Sequence, residues 1–293
     1  MFSRVAALAL AMLCVIVLTG ALVRLTGSGL GCSDWPRCND QKFVDVSSGH
    51  AAIEQLNRLF TGLVSASVVA AVLTAHLRRP RRRDLVVLAW ALVAGVLAQV
   101  VIGGIVVLTG LNPWANMAHF LVSMVLVGTA FALDRLSRVE NVSSLVRRVP
   151  AGIERLRWVL AAASSVAVVT GTVVTATGPH AGDENAVRFG FALESVARVH
   201  GTSVVITVAM IVACMWRVRS DTTVAGRSSR EALTMLAFVA VLQGAVGYTQ
   251  YLTGVPVLLV AVHIAGATAF WLSVCNVLFA PRPDEILPVT PAA

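Results

Sequence analysis

The sequence predicts an all-α integral membrane protein of eight transmembrane helices, arranged as two parallel-repeat four-helix bundles, and three observations carry that prediction. The first is composition: of 293 residues, 57% are hydrophobic and 13% charged, with a mean hydropathy of +0.81, outside the range of a water-soluble domain. The second is a series of apolar runs of about 20 residues, each long enough at about 1.5 Å per residue to cross roughly 30 Å of hydrocarbon. The third is an internal duplication.

The elements follow in order. Span 4–23 ends in TGALVRLTG and passes straight into a loop holding Cys32 and Cys38. With no small-residue cleavage site it reads as a membrane helix and not a signal peptide. Span 52–76 opens on IEQLNR and ends against the Arg78 to Arg83 cluster, and span 85–108 ends in QVVIGGIVVLTG. Span 114–133 carries His119, which closes an N-terminal bundle over residues 1–133. A basic stretch, 134–156, reads as a linker. Span 157–176 ends in TGTVVTATG, span 194–216 carries His200, span 232–252 contains QGAVGYTQYLTG, and span 257–279 carries His263. These four make the C-terminal bundle, 157–280, before a short proline-rich tail, 281–293.

Lys and Arg accumulate in short cytoplasmic loops. Here they gather at Arg4, Arg78 to Arg83, the linker, Arg217 to Arg230 and Arg282, whereas the other side has Arg24, Arg37, Lys42 and Arg188. Both termini are therefore expected in the cytoplasm of a cell carrying this chain in its plasma membrane. The net charge of +8 is topological, with no nucleic-acid partner implied. Cys32 and Cys38 face an oxidising compartment, where either a disulfide or two free thiols fit the spacing and the disulfide is the expectation.

The duplication is read from four matches. Thr19 to Gly27 and Thr170 to Gly178 share TGxxVxxTG, and Gln99 to Gly110 and Gln243 to Gly254 share QxxxGxxxxLTG. The same offset carries His119 onto His263. The second and sixth spans share ExxxR, at Glu54/Arg58 and Glu194/Arg198. Four helices per half make the repeats parallel, related by an axis along the membrane normal, and such bundles hold cofactors between facing helices.

Ionisable groups in membrane helices line internal sites. Of the six histidines, His76 belongs with the arginine cluster, and His180, in TGPHAGD, reads as a loop-ordering residue. His119, His200 and His263 fall at one depth, roughly 10 Å below the outer surface. His200 and His263 on two helices of one bundle suit the two axial ligands of a haem iron. The N-terminal half differs. Glu54, Asn57 and Arg58 share one helical face, with Asn57 near where a ligand would stand. Glu54 either closes an ion pair with Arg58 or takes part in chemistry, and His50, one turn earlier, is an interfacial residue or a substitute ligand. Arg24, Arg58 and Arg198 lie near the outer surface, where they can meet haem propionates, lipid headgroups or the two glutamates.

Together TGxxVRLTGSGLGCxDWPxC, TGPHAGD, the ExxxR starts and the duplicated histidine helices make the chain resemble the heme A synthases of bacterial cytochrome oxidase assembly, over about residues 4–280. The resemblance implies an enzyme that oxidises a ring methyl of heme O to a formyl group by successive hydroxylations with water-derived oxygen, giving heme A. It implies a heme b cofactor between His200 and His263, a substrate haem on His119, a catalytic Glu54 with Asn57 and Arg58 in the substrate pocket, and a Cys32–Cys38 disulfide. It also implies heme O synthase and a respiratory electron acceptor as partners, and leaves room for a homo-oligomer. The sequence departs from the family where ExxHR is usual, since Asn57 replaces the histidine, and Arg198 precedes His200. The registers of the second and sixth helices are therefore open by about three residues. Two other classes compete: a non-catalytic bis-histidine cytochrome b, which calls for equal histidine pairs in both halves, and a haem transporter, which calls for helices broken at mid-membrane.

Overall fold

The computed structural model describes residues 1–138 and 151–280. Residues 139–150 of the linker, with Arg147 and Arg148, and the 281–293 tail, with Arg282, lie outside the described residues. The described residues form eight α-helices and no strand: α1 Phe2–Leu25, α2 Gly49–Leu77, α3 Arg83–Leu108, α4 Pro113–Ser137, α5 Ala151–Thr177, α6 Leu193–Val218, α7 Val224–Leu252 and α8 Val257–Leu278. All eight are long and apolar enough to cross a membrane, and each runs unbroken. This is a multi-pass membrane protein.

Local chemistry sets the helix starts. Ser48 accepts the Ala51 N–H to cap α2, and Asn112 accepts the Trp114 N–H ahead of Pro113 in α4. The largest departure from the apolar pattern is α7, which begins eight residues before the expected 232. Its first turns, AGRSSRE, are polar yet helical because Thr223 accepts the Gly226 N–H and Arg230 ties back to the Val218 carbonyl. Hydropathy marks the part of a helix that meets hydrocarbon, and capping extends the helix beyond it.

Buried apolar residues fall into one cluster drawn from α1–α4, including Ala6, Ala9, Ala71, Leu92 and Val127, and another drawn from α5–α8, including Leu160, Ile211, Leu236 and Val274. Small residues at the contacts let helices approach closely, and lipid-facing positions such as Leu63, Val101, Val205 and Phe238 stay exposed. Between the clusters, the Trp271 indole donates to the Met124 carbonyl at 2.8 Å, and Arg135 donates to the Asn276 side chain.

The two helix endings matched in sequence share a backbone conformation. The LTG endings of α3 and α7 turn through Gly110 (φ 62°) and Gly254 (φ 79°), followed by Leu111 (φ 63°) and Val255 (φ 59°). Such a conformation costs a side-chain-bearing residue about 1–3 kcal/mol and persists only where its surroundings hold it. Leu111 is held by packing with Ala181 and Ala186, and the Val255 carbonyl lies 2.8 Å from His180 Nε2. The TGPHAGD loop thus braces both turns.

Candidate functional site

Each duplicated motif has an identifiable task at the helix ends nearest the disulfide loop. Gln243 of α7 donates to the His263 carbonyl at 2.6 Å, and Gln99 of α3 donates to the His119 carbonyl at 2.9 Å. One turn on, Gly247 leaves room for the His263 ring, where a Cβ would stand 3.0 Å from Cε1; Gly103 does the same for His119 at 3.5 Å. Glutamine fixes the histidine's backbone and glycine accommodates its ring.

In the C-terminal half, the Thr170 hydroxyl lies 3.2 Å from His200 Nδ1 and 2.9 Å from the Ser203 hydroxyl. Occupying Nδ1 leaves Nε2 as the ring nitrogen free to bind a metal. Gly171 flanks the ring, with a Cβ position 3.1 Å from His200 Cε1. The rings of His200 and His263 face one another with centroids 6.5 Å apart and planes at 88°. A metal–imidazole bond is about 2 Å, so one metal held between two rings sets their centres about 6 Å apart. His119 Nδ1 and His263 Nδ1 are buried without a hydrogen-bond partner, and a buried polar atom left so calls for an explanation. Among the described residues no group of three or more His, Cys, Asp or Glu could hold a bare ion. A facing pair and a single histidine suit a metal that brings its own equatorial ligands, as haem does.

The N-terminal half repeats the threonine, glutamine, glycine and α4 histidine of this frame, with a different side chain on the second helix. Thr19, the repeat counterpart of Thr170, donates its hydroxyl to Asn57 Oδ1 at 2.8 Å. Since Thr170 meets His200 in the same way, Asn57 is the positional counterpart of His200. The hydroxyl contacts therefore settle the register between α2 and α6, three residues away from the one that matches the two ExxxR strings. Around Gly20, counterpart of Gly171, a Cβ would meet nothing within 4 Å. The floor that carries an imidazole in one half is open in the other.

Above it, Glu54 is 5% exposed. One carboxylate oxygen accepts the Cys32 N–H at 2.8 Å, and the other accepts Arg58 through Nε at 3.0 Å and a terminal nitrogen at 2.5 Å. Arg58 also donates to the carbonyls of Asp34 and Arg37 and lies 4.9 Å over the Trp35 ring. Cys32 and Cys38 are disulfide-bonded and both 1% exposed. Trp35 seats on Gly104, where a Cβ would stand 2.5 Å from Cδ1. The loop is thus docked onto α2 through the pair Glu54–Arg58 and onto α3 through Trp35, and the ion pair, one of the two alternatives read for Glu54, is present. A fork donor satisfied on every side is what a buried carboxylate requires.

The remaining sequence candidates separate. Arg24 reaches across the halves, donating to the carbonyls of His180 at 2.6 Å and Thr175 at 2.9 Å, beside a Gly29 N–H to Gly182 carbonyl bond. Arg198 pairs with Glu194 and is 76% exposed, lining a groove of about 380 Å³ with Thr170, Ser203 and Val199. His50 is exposed, its Nδ1 2.9 Å from the Ser28 hydroxyl. His76 lies at the far end of α2 beside Arg81 and Trp90, and His180 orders its loop. Sequence reading missed Thr19, Thr170, Gln99, Gln243, Gly20, Gly104 and Trp35 as site residues. The first four and Gly20 were present in the repeat matches, which marked them as scaffold without revealing their partners.

Residues 3–275 match the family described as cytochrome oxidase assembly protein, COX15-CtaA. The chain is 35% identical over 114 residues to a protein named heme A synthase from Listeria welshimeri, covering 38% of this chain and 37% of that one. It is 32% identical over 136 residues to the heme A synthase of Lysinibacillus sphaericus, covering 44% of each. It is 34% identical over 106 residues to that of Geobacillus kaustophilus, covering 36% and 33%. These alignments span less than half the length of the relatives. The match over nearly the whole chain, on the frame of repeated histidine helices, places it in the COX15-CtaA family of cytochrome oxidase assembly proteins.

Proposed function

We propose that the chain is a heme A synthase, converting heme O to heme A for cytochrome oxidase. The observation that carries the reading is the inequality of two sites built on one repeat: His200 faces His263 in one half, while Asn57 stands in the corresponding place in the other, beneath a buried carboxylate. An electron carrier would need two equal pairs. In the overall reaction, one ring methyl and one water give one formyl group, four protons and four electrons. The first hydroxylation makes an alcohol, the second a geminal diol, and the diol loses water.

The division of labour follows the two halves, 1–133 and 157–280. In the C-terminal half His200 and His263 would hold a haem b, which supplies one-electron acceptance when bound. Thr170 and Gln243 keep the two imidazoles oriented for it. In the N-terminal half His119 would hold the heme O substrate through its iron. Glu54 works on the ring methyl: removing hydride or electrons there develops positive charge, which a fixed carboxylate stabilises. The same group takes the proton of the attacking water once Arg58 or the Cys32 N–H releases an oxygen. Arg58 holds the Glu54 side chain in place and the loop closed, so that bulk water is kept from the reacting carbon. Arg198, the most accessible of the three arginines read as propionate partners, would be the one to hold a propionate of haem b.

The arginine-rich ends of the helices lie on the cytoplasmic side of the plasma membrane, by the charge asymmetry of the loops, and the disulfide loop faces outward. Heme O synthase supplies the substrate, and a respiratory acceptor takes the electrons. The test is to express heme O synthase with and without this chain in cells lacking heme A and to extract the pigments. Heme A appearing only with the chain supports the reading; heme O unchanged in its presence overturns it.

A further inference from the structure

The two halves repeat Thr, Gly, Gln, Gly and His in register, and between these matched residues Asn57 stands where the other half has His200. In the C-terminal half the space between Thr170, Gly171 and His263 is filled by His200, whose ring presses on Gly171. In the N-terminal half Thr19 holds Asn57 by its oxygen, and a Cβ placed on Gly20 would meet nothing within 4 Å. The Asn57 Nδ2 has no partner among the described residues, leaving two N–H donors. Asparagine is shorter than histidine and its amide nitrogen has no lone pair for iron. His50, the nearest imidazole in sequence, is held at the exposed rim by Ser28.

We propose that the face of the N-terminal site opposite His119 is a small-molecule pocket, floored by Gly20 and supplied with donors by Asn57, that admits a water-sized ligand and is filled by no side chain. This rests on the reading of that half as a heme O site. The pocket lies within the half that carries Glu54, so it can store the water the reaction consumes. It also makes the two haem positions chemically distinct: one closed by two imidazoles, the other open on one side.

Carbon monoxide is the probe, because it binds ferrous haem only where an axial place is not taken by a protein ligand. The chain is purified after expression with heme O synthase, its haems are extracted and counted by type, and the reduced protein is titrated with carbon monoxide. The expected result is that the heme O present binds carbon monoxide and the haem b does not. Asn57→His should lose that binding with both haems retained, and Gly20→Leu, which fills the floor without adding a ligand, should also lose it. Wild-type protein that holds both haems and binds no carbon monoxide overturns the pocket while leaving the heme O site standing. Unchanged binding in both variants overturns it as well. Protein that holds haem b alone overturns the heme O site, and the pocket with it.

Discussion

The backbone N–H of Cys32 donates to the Glu54 carboxylate at 2.8 Å, so the disulfide loop and the carboxylate proposed to act on the substrate hold each other in place. Replacing Glu54 by Gln keeps the size of the side chain and an oxygen for the Cys32 N–H but removes the charge. Heme A output is expected to fall by about 100-fold or more, the range of a lost acid–base group. Haem b content should not change. Pigment analysis of membranes carrying Glu54→Gln measures both.

The loop's anchor gives a second expectation. Cys38 is 1% exposed and closes a ring with Cys32, so Cys38→Ser frees the segment that supplies Asp34 and Arg37 carbonyls to Arg58. Heme A output should drop while haem b remains bound. Loss of haem b instead would refute the assignment of this loop to the N-terminal site.

Glycines at equivalent positions should differ in their tolerance. A Cβ on Gly171 would stand 3.1 Å from His200 Cε1, whereas a Cβ on Gly20 meets nothing within 4 Å. Gly171→Ala should displace the imidazole and reduce haem b content. Gly20→Ala should leave haem b content unchanged and stabilise the helix by about 0.5–1 kcal/mol, the helix-propensity difference. Haem content per protein and thermal unfolding in detergent read the two effects.

Asp45, in the loop, has a carboxyl held down to about 2, first by the Ser47 hydrogen bonds and then by Lys42 and Asn39. The folded loop binds that proton less readily than the unfolded chain, whose Asp titrates at about 3.9. The contribution to loop order is therefore complete above about pH 4 and is lost as pH falls towards about 2. Reduction of the Cys32–Cys38 disulfide by a phosphine should accelerate across that window, and Asp45→Asn should remove the pH dependence.

Much of this was legible in the sequence because membrane helices and repeats leave strong one-dimensional signals. The eight spans came from run length, and the equivalence of His119 and His263 from a constant offset. The register of α2 on α6 was not legible: ExxxR matches itself in both, yet Glu54–Arg58 is buried under a loop and Glu194–Arg198 lies in the open. An ion pair at i,i+4 is a local motif that recurs wherever a helix begins, whereas Thr19–Asn57 and Thr170–His200 are contacts between helices that only the fold supplies. Arg24 is the other instance. The sequence put it at the outer surface, but its fork is spent on carbonyls at the end of α5 and in the loop after it, more than 150 residues away.

The central claim is that one duplicated scaffold carries two different haem sites, and haem retention by type in two variants tests it most directly. His263→Ala is predicted to lose haem b and keep heme O, and His119→Ala to lose heme O and keep haem b. Loss of both haems from each variant, or retention of both, would contradict the account.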